Sequence, residues 1–144
     1  MQNILEIKEK LEAQEKAAYS MANARLMEEQ EQLQRLLSHR EEYERQFKEL
    51  QEGALDIREI QICKNAINSM KSLIRDQMIA VHTAQRNLEM ARQRLNEVMK
   101  ERKTHENLKE KAFEVFKEEL AAEDKKMTDE LVSYTYQNKQ SDME

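Results

Sequence analysis

The sequence has very few of the residues that end a helix. It contains no proline and one glycine, Gly53, in 144 residues. Aromatic residues make up 5% of the chain and charged residues 37%, so few large apolar side chains are present to fill a compact core. Good helix formers such as Glu, Lys, Gln, Leu and Ala occupy most of the other positions. This composition argues against a globular core and predicts long helices.

Disulfides, a secretory signal and long apolar runs are also missing from the sequence. The single cysteine, Cys63, has no partner for a disulfide within the chain. The N-terminal residues lack the basic and apolar segments of a secretory signal, and no apolar run approaches the roughly 18 residues that a membrane-spanning helix needs. We therefore expect a cytoplasmic protein that does not insert into a membrane by itself.

The charge of the chain argues against general binding of nucleic acids. The formal net charge is -5, and the acidic excess lies towards both ends. Only the stretch from Lys71 to Lys103 is basic, with eight Lys or Arg and four acidic residues. Nucleic-acid binding through this stretch is the least favoured functional hypothesis, and protein partners suit the charge pattern better.

What the sequence does contain is an apolar stripe in which steps of three and four residues alternate. This spacing keeps one side of a helix turned towards a partner helix. The stripe runs through the second half of the chain and consists of Ile60, Cys63, Ile67, Met70, Ile74, Gln77, Val81, Ala84, Leu88, Ala91, Leu95, Val98, Arg102 and His105.

A second stripe precedes Gly53 and predicts a first helix over about 3–50, with Asn3 and Glu6 as a capping box at its start. Two successive steps of four residues meet at Ala22, which predicts a one-residue slip of the register there. The stripe consists of Ile4, Ile7, Leu11, Ala18, Ala22, Leu26, Leu33, Leu36, Arg40, Tyr43, Phe47 and Leu50.

Gly53 predicts a turn at 51–55 in the left-handed conformation that glycine tolerates best. Asp56 and Glu59 form a second capping box, with Leu55 and Ile60 as a hydrophobic staple, and predict a helix over about 57–136 before a polar tail at 137–144. The predicted fold class is all-α: one domain, residues 1–144, in which two long helices form an antiparallel coiled-coil hairpin.

The second helix is predicted to be longer than the first and to overhang it. Folding at the turn brings Ile4 opposite about Lys103, and the apolar residues beyond His105, such as Leu108 and Phe116, have no partner within the chain. An isolated helix is marginal in water, so this segment must fray, dimerise or dock onto another protein. We favour docking.

Catalysis and metal binding are addressed by elimination. The three histidines, His39, His82 and His105, lie far apart along the predicted rod, and no glycine-rich loop is present to hold a phosphate. The pairs of adjacent acidic residues in the sequence are typical of a helix face that is exposed to solvent. We therefore expect no enzymatic activity, no catalytic residues, no cofactor and no metal ligands.

Two blocks of the sequence resemble the flagellar export protein FliJ family. The first runs from Ile4 to Glu12, and the second runs from Glu101 to Lys111 and is followed by Asp129, Glu130 and Leu131. The chain length, the central turn and the unequal helices agree as well, so the resemblance covers nearly the whole chain. It implies a non-enzymatic component of the bacterial flagellar type III export apparatus, similar to the stalk subunit of rotary ATPases. Such a protein is cytoplasmic and associates with the inner face of the cell membrane through the apparatus.

The resemblance also implies protein partners. The end that carries both termini would enter the hexameric export ATPase ring, and the hairpin would contact the membrane export gate and the export chaperones. The candidates for the ATPase ring are Arg102, Lys103, Leu108, Lys109 and Lys111. The candidates for the export gate are Leu36, His39 and Tyr43. The alternative hypothesis is a self-assembling structural coiled coil without an ATPase partner, in which the overhangs of two hairpins pair.

Overall fold

The fold consists of two helices that run antiparallel and contact each other along the whole of the shorter one. A computed structural model describes residues 2–53 and 56–143. Helix α1 spans Gln2–Glu52 and helix α2 spans Ile57–Met143. Contacts from Tyr43 to Cys63 near the turn and from Lys8 to Glu101 at the far end establish the antiparallel direction. The prediction of an all-α helical hairpin is confirmed.

Both helices extend beyond their predicted ends. Helix α1 begins at Gln2, so Asn3 lies within its first turn instead of preceding it, and the helix ends two residues after Leu50. Helix α2 continues to Met143, through most of the stretch predicted as a polar tail. The physical reason is that polar residues alone do not end a helix, and this stretch contains neither glycine nor proline.

Asp56 caps the start of α2 as predicted. Its carboxylate Oδ1 accepts a hydrogen bond of 3.0 Å from the backbone N–H of Arg58, and its carbonyl accepts the first helical hydrogen bond from Ile60, also at 3.0 Å. The predicted staple of Leu55 with Ile60 lies outside the described residues, because Leu55 is not among them.

Gly53 does not adopt the left-handed conformation that the sequence predicted. Its φ angle is not positive, and α1 reaches Glu52 before the chain bends at Gly53. A Cβ atom at this position would meet only the carbonyl oxygen of Glu49, at the ordinary contact distance of 3.8 Å. Residues other than glycine can therefore adopt the backbone conformation found at position 53.

The interface between the helices, which we call the seam, follows the predicted stripe throughout α2. Every residue of that stripe from Ile60 to His105 is buried or half-buried, whereas residues 107–140 are all exposed. The most buried apolar side chains are Cys63, Ile74, Ala84 and Ala91. The thiol of Cys63 donates to the carbonyl of Tyr43 at 3.2 Å.

The first part of α1 faces α2 with different residues from those predicted. Ile4 and Ile7 are 50% and 55% exposed, and Leu11 is exposed as well. The seam is completed instead by Leu5, Lys8, Glu12, Glu15 and Tyr19, which are buried or half-buried. The alternation of three and four residues therefore continues from Leu50 back to Leu5, and the predicted slip at Ala22 is wrong.

The physical reason for this difference is that polar residues of α1 find partners on α2. A slip would bring the apolar residues inwards, but it would interrupt a seam that is in register from Ala22 to Leu50. The continuous register places Lys8 beside Glu101 and Glu12 beside Arg102, so the inward polar groups are paired.

The conformation of Gly53 leads to a prediction on stability. Gly53→Ala should raise the free energy of unfolding by about 0.4–1 kcal/mol, because alanine restricts the unfolded chain and fits the native backbone without strain. Thermal and urea unfolding followed by circular dichroism measure the change. A loss of stability of similar size would contradict the observed conformation and indicate a left-handed residue.

Candidate functional site

The end of the hairpin opposite the turn is where the structure changes from two helices to one. We call it the open end, formed by residues 2–12 of α1 and 101–106 of α2. Beyond it, the exposed segment 107–140 of α2 forms the overhang, which at 1.5 Å per residue is about 50 Å long. Most of the predicted ATPase-facing residues lie at or just beyond this junction.

A buried ion pair joins the two helices at the open end. Glu12 is only 7% exposed, and its carboxylate lies against the guanidinium Nε of Arg102. This contact is an ion pair between the two helices. Arg102 Nη1 donates to Glu106 at 2.8 Å, and Lys16 approaches Glu12 at 3.4 Å. The hydrogen bond to Glu106, followed by the charges of Glu106 and Glu12, raises the pKa of Arg102 above its ordinary value.

A second ion pair lies beside the first one and also joins the helices. The ammonium of Lys8 donates a hydrogen bond of 2.7 Å to the carboxylate of Glu101. This hydrogen bond, together with the positive charge of Lys8, lowers the pKa of Glu101 below its ordinary value of 4.5. Two ion pairs therefore join the start of α1 to α2.

Apolar side chains surround this charged junction on the outside. Leu5 of α1 lines a shallow cleft with Ala112, Phe113 and Phe116 of α2, and charged side chains border it. Ile4 and Ile7 form a separate exposed apolar strip on α1. Apolar patches framed by charges are suited to contact with another protein.

The described residues contain no group of three or more His, Cys, Asp or Glu side chains that could hold a metal ion. In the same part of the chain, neither helix has a segment long and apolar enough to cross a membrane.

The residues predicted to face an ATPase ring occupy two different environments. Lys103, Leu108, Lys109 and Lys111 are exposed. At about 100° per residue, their side chains point in different directions around α2 and do not share one face. Arg102, in contrast, is half-buried in the seam and paired with acidic groups.

The residues predicted to face the export gate lie together on α1. Leu36 and Tyr43 are half-buried seam residues, and His39 lies between them in sequence with an exposed side chain. The backbone carbonyl of Tyr43 accepts the hydrogen bond from Cys63. Of the three, only His39 is exposed.

The roles of Lys8, Glu12 and Glu101 were not predicted from the sequence. The signal that could have found the two α1 residues is the alternation itself, counted backwards from Leu26 through Ala22, Tyr19, Glu15, Glu12, Lys8 and Leu5. The apolar residues Ile4, Ile7 and Leu11 form a competing stripe, and this stripe conceals the continuous alternation.

Comparison with known proteins identifies the family. The family model described as Flagellar FliJ protein matches residues 1–141 of the 144-residue chain. The chain belongs to the FliJ family. No curated protein and no solved structure matches it. Membership of the FliJ family makes the chain a flagellar export-related protein and confirms the resemblance found in the sequence.

The buried ion pair of this FliJ-family chain leads to a test by substitution. Arg102→Leu should lower the midpoint of thermal unfolding, because it leaves the Glu12 carboxylate at the seam without its main partner. Combining it with Glu12→Leu should restore the midpoint to the wild-type value or above, because an apolar pair then replaces the charged one. Lys103→Leu, at the exposed neighbouring position, is the control. If Arg102→Leu lowers the midpoint no more than Lys103→Leu does, the pair has no structural role.

The lowered pKa of Glu101 leads to a prediction on pH. A carboxylate whose pKa is lowered by folding stabilises the folded state fully above its unfolded pKa, here about 4.5, and loses this effect as the pH falls through the folded pKa. Lys8→Met should therefore lower the melting temperature at pH 7, and the difference from wild type should shrink below about pH 4.5. Lys10→Met, at an exposed position, should show no such change. A difference that is independent of pH would contradict the contribution of the Lys8–Glu101 pair.

Proposed function

We propose that this FliJ-family chain is a non-enzymatic stalk and adaptor of the bacterial flagellar type III export apparatus. In this proposal it engages the export ATPase ring with its open end and the start of the overhang, and it helps to couple the ring to the export gate and chaperones. It works in the cytoplasm and associates with the inner face of the membrane through these partners. The observation that carries the proposal is the overhang, a long single helix that continues beyond the two-helix seam.

The dimensions and charges of the junction support contact with a ring. A single helix with its side chains is about 10–12 Å across. It is therefore much thinner than the part of the hairpin in which α1 and α2 are paired. The exposed side chains of Lys103, Leu108, Lys109 and Lys111 point around the helix in different directions. A partner that surrounds the helix can contact all four at once, whereas a partner with one flat surface cannot.

Arg102 has a different role within this proposal. Its guanidinium is engaged by Glu12 and Glu106. We therefore assign it to positioning, because it fixes where the two-helix rod ends and the single helix begins. The exposed cations assigned to a contact with the ring are Lys103, Lys109 and Lys111.

The residues assigned to the export gate are far from the ring contact. Leu36, His39 and Tyr43 lie in the part of α1 that leads to the turn, and α1 as a whole is about 75 Å long. This separation supports an adaptor that binds two partners at the same time, one through each end. His39 is the exposed member of the set and is its most direct probe.

Binding to the purified hexameric export ATPase tests the proposal. Lys103→Glu, Lys109→Glu and Lys111→Glu combined should weaken binding by at least about tenfold at low salt, and the effect should decrease as the salt concentration rises. A matched control carries the same change of charge at the exposed residues Lys48, Lys64 and Lys71.

The control should retain the wild-type affinity for the ATPase. His39→Glu should likewise bind the ATPase normally, but it should bind the cytoplasmic domain of the export gate more weakly. Failure of the intact wild-type chain to bind the ATPase at micromolar concentration would contradict the proposal.

A further inference from the structure

A shallow groove lies between the two helices on one side of the hairpin, near the middle of its length. The seam residues Leu33 of α1 and Val81 of α2 line it, together with Met27, whose side chain is 56% exposed. The charged side chains of Glu31 and Arg35 line the groove on the α1 side. The groove therefore offers apolar surface between the helices.

Helix α2 adds two exposed apolar side chains on this side of the hairpin. Gln30 and Met78 directly follow the seam residues Glu29 and Gln77, and the side-chain amide of Gln77 donates to the carbonyl of Glu29 at 2.8 Å. In an antiparallel pair of helices, residues that directly follow facing seam residues lie on the same side. Because Gln30 lines the groove, Met78 borders it as well. Met78 and the adjacent Ile79 are 57% and 61% exposed.

Basic side chains accompany these two apolar residues on α2. We call them the basic flank, and all of them are exposed. The basic flank consists of Lys64, Lys71, Arg75 and Arg86. Together with Met78 and Ile79, these side chains fall within an arc of about 100° around the helix. One side of α2 thus combines apolar and positively charged groups next to the groove.

No carboxylate of the hairpin balances the basic flank. Asp76 is the only acidic residue between Glu59 and Glu89, and at about 100° per residue it falls outside the arc. Glu89, three residues after Arg86, is paired with Arg92 instead. In the part of the chain that the structure describes, none of the four basic side chains takes part in an ion pair. Their charges are therefore available to a partner of opposite sign.

We propose that the groove binds an amphipathic helix of another protein, and that acidic residues border the apolar face of this helix. The apolar face contacts Met27, Met78 and Val81, and the acidic residues pair with the basic flank. Exposed methionines suit such a contact, because their flexible side chains adapt to the partner. From Lys71 to Arg86 the flank is about 22 Å long, so a helix of about four turns covers it.

This proposal does not rest on the proposed function. The groove and the basic flank contain none of the residues assigned to the ATPase ring or to the export gate. The two proposals can therefore fail independently of each other.

The charges around the groove favour this occupant over two others. A second copy placed on the same groove by two-fold symmetry would bring two basic flanks together, and like charges repel. The surface of an anionic membrane would attract the basic flank, but it would also meet the carboxylate of Glu31 on the α1 side of the groove. A helix can place acidic residues towards α2 alone.

Binding of two designed helical peptides to the full-length chain tests the proposal. Both peptides, of about 18 residues, carry the same row of leucines at intervals of three and four residues, and they differ only in having glutamate or lysine beside the row. The glutamate peptide should bind at micromolar concentration, and more weakly as the salt concentration rises. The lysine peptide should bind at least about tenfold more weakly. Met78→Glu with Ile79→Glu should raise the dissociation constant of the glutamate peptide by more than about tenfold, because the apolar contact is lost.

Charge reversal locates the contact. Arg75→Glu with Arg86→Glu should weaken binding of the glutamate peptide by more than about tenfold and strengthen binding of the lysine peptide. Arg58→Glu with Arg94→Glu is the matched control, because both arginines are exposed residues of α2 outside the basic flank. The control should bind the glutamate peptide like wild type.

Several results would overturn the proposal. They are equal binding of both peptides to the wild-type chain, no binding of the glutamate peptide at about 100 µM, or a loss of affinity in the control as large as in the flank variant. Vesicles of phosphatidylserine and phosphatidylcholine that bind the wild-type chain but not the flank variant would indicate a membrane as the occupant. A dimer in sedimentation equilibrium that Met78→Glu with Ile79→Glu dissociates would indicate a second copy. Either of these results would also overturn the proposal.

Discussion

The continuous alternation of three and four residues along α1 is the constraint on which the rest of the structure depends. It holds the two helices in a single register from the turn to the open end. Because the register does not slip, Lys8 and Glu12 must face α2, while Ile4 and Ile7 must face outwards. The charged junction, the exposed apolar strip and the start of the overhang all follow from this requirement.

Polar groups within the seam make this register specific. In the middle of the hairpin, the side-chain amide of Gln77 donates to the backbone carbonyl of Glu29 at 2.8 Å. At the open end, Glu12 and Arg102 form the corresponding pair. Such pairs add little net stability compared with apolar contacts, but a shift of one helix would leave buried polar groups without partners. Polar residues at a few seam positions are known to fix coiled-coil register in this way.

The sequence predicted the features that depend on local pattern. The stripe of α2 from Ile60 to His105, the cap at Asp56 and the exposed overhang are all found in the structure. The inward face of the first turns of α1 was not predicted, because the apolar residues Ile4, Ile7 and Leu11 suggested a different stripe from the continuous alternation, which brings Lys8 beside Glu101. The conformation of Gly53 was missed because composition does not determine a φ angle. The residues assigned to partners came from family resemblance, and no local physical pattern identifies them.

The structure thus separates a scaffold from the surfaces that remain available for binding. Contact with α2 covers one face of α1 along its whole length. Exposed apolar and basic side chains remain at the open end and on the overhang. Membership of the FliJ family places these surfaces in a flagellar export-related protein. The register of α1 determines which residues at the open end are available for binding.

A cysteine-accessibility scan of positions 4 to 12 tests this register most directly. Single cysteines are introduced one at a time into a chain carrying Cys63→Ala, and the rate of their reaction with a maleimide is measured. The continuous register predicts the slowest reactions at Leu5, Lys8 and Glu12. Slowest reactions at Ile4, Ile7 and Leu11 would show that the helix has slipped by one residue and would contradict the account.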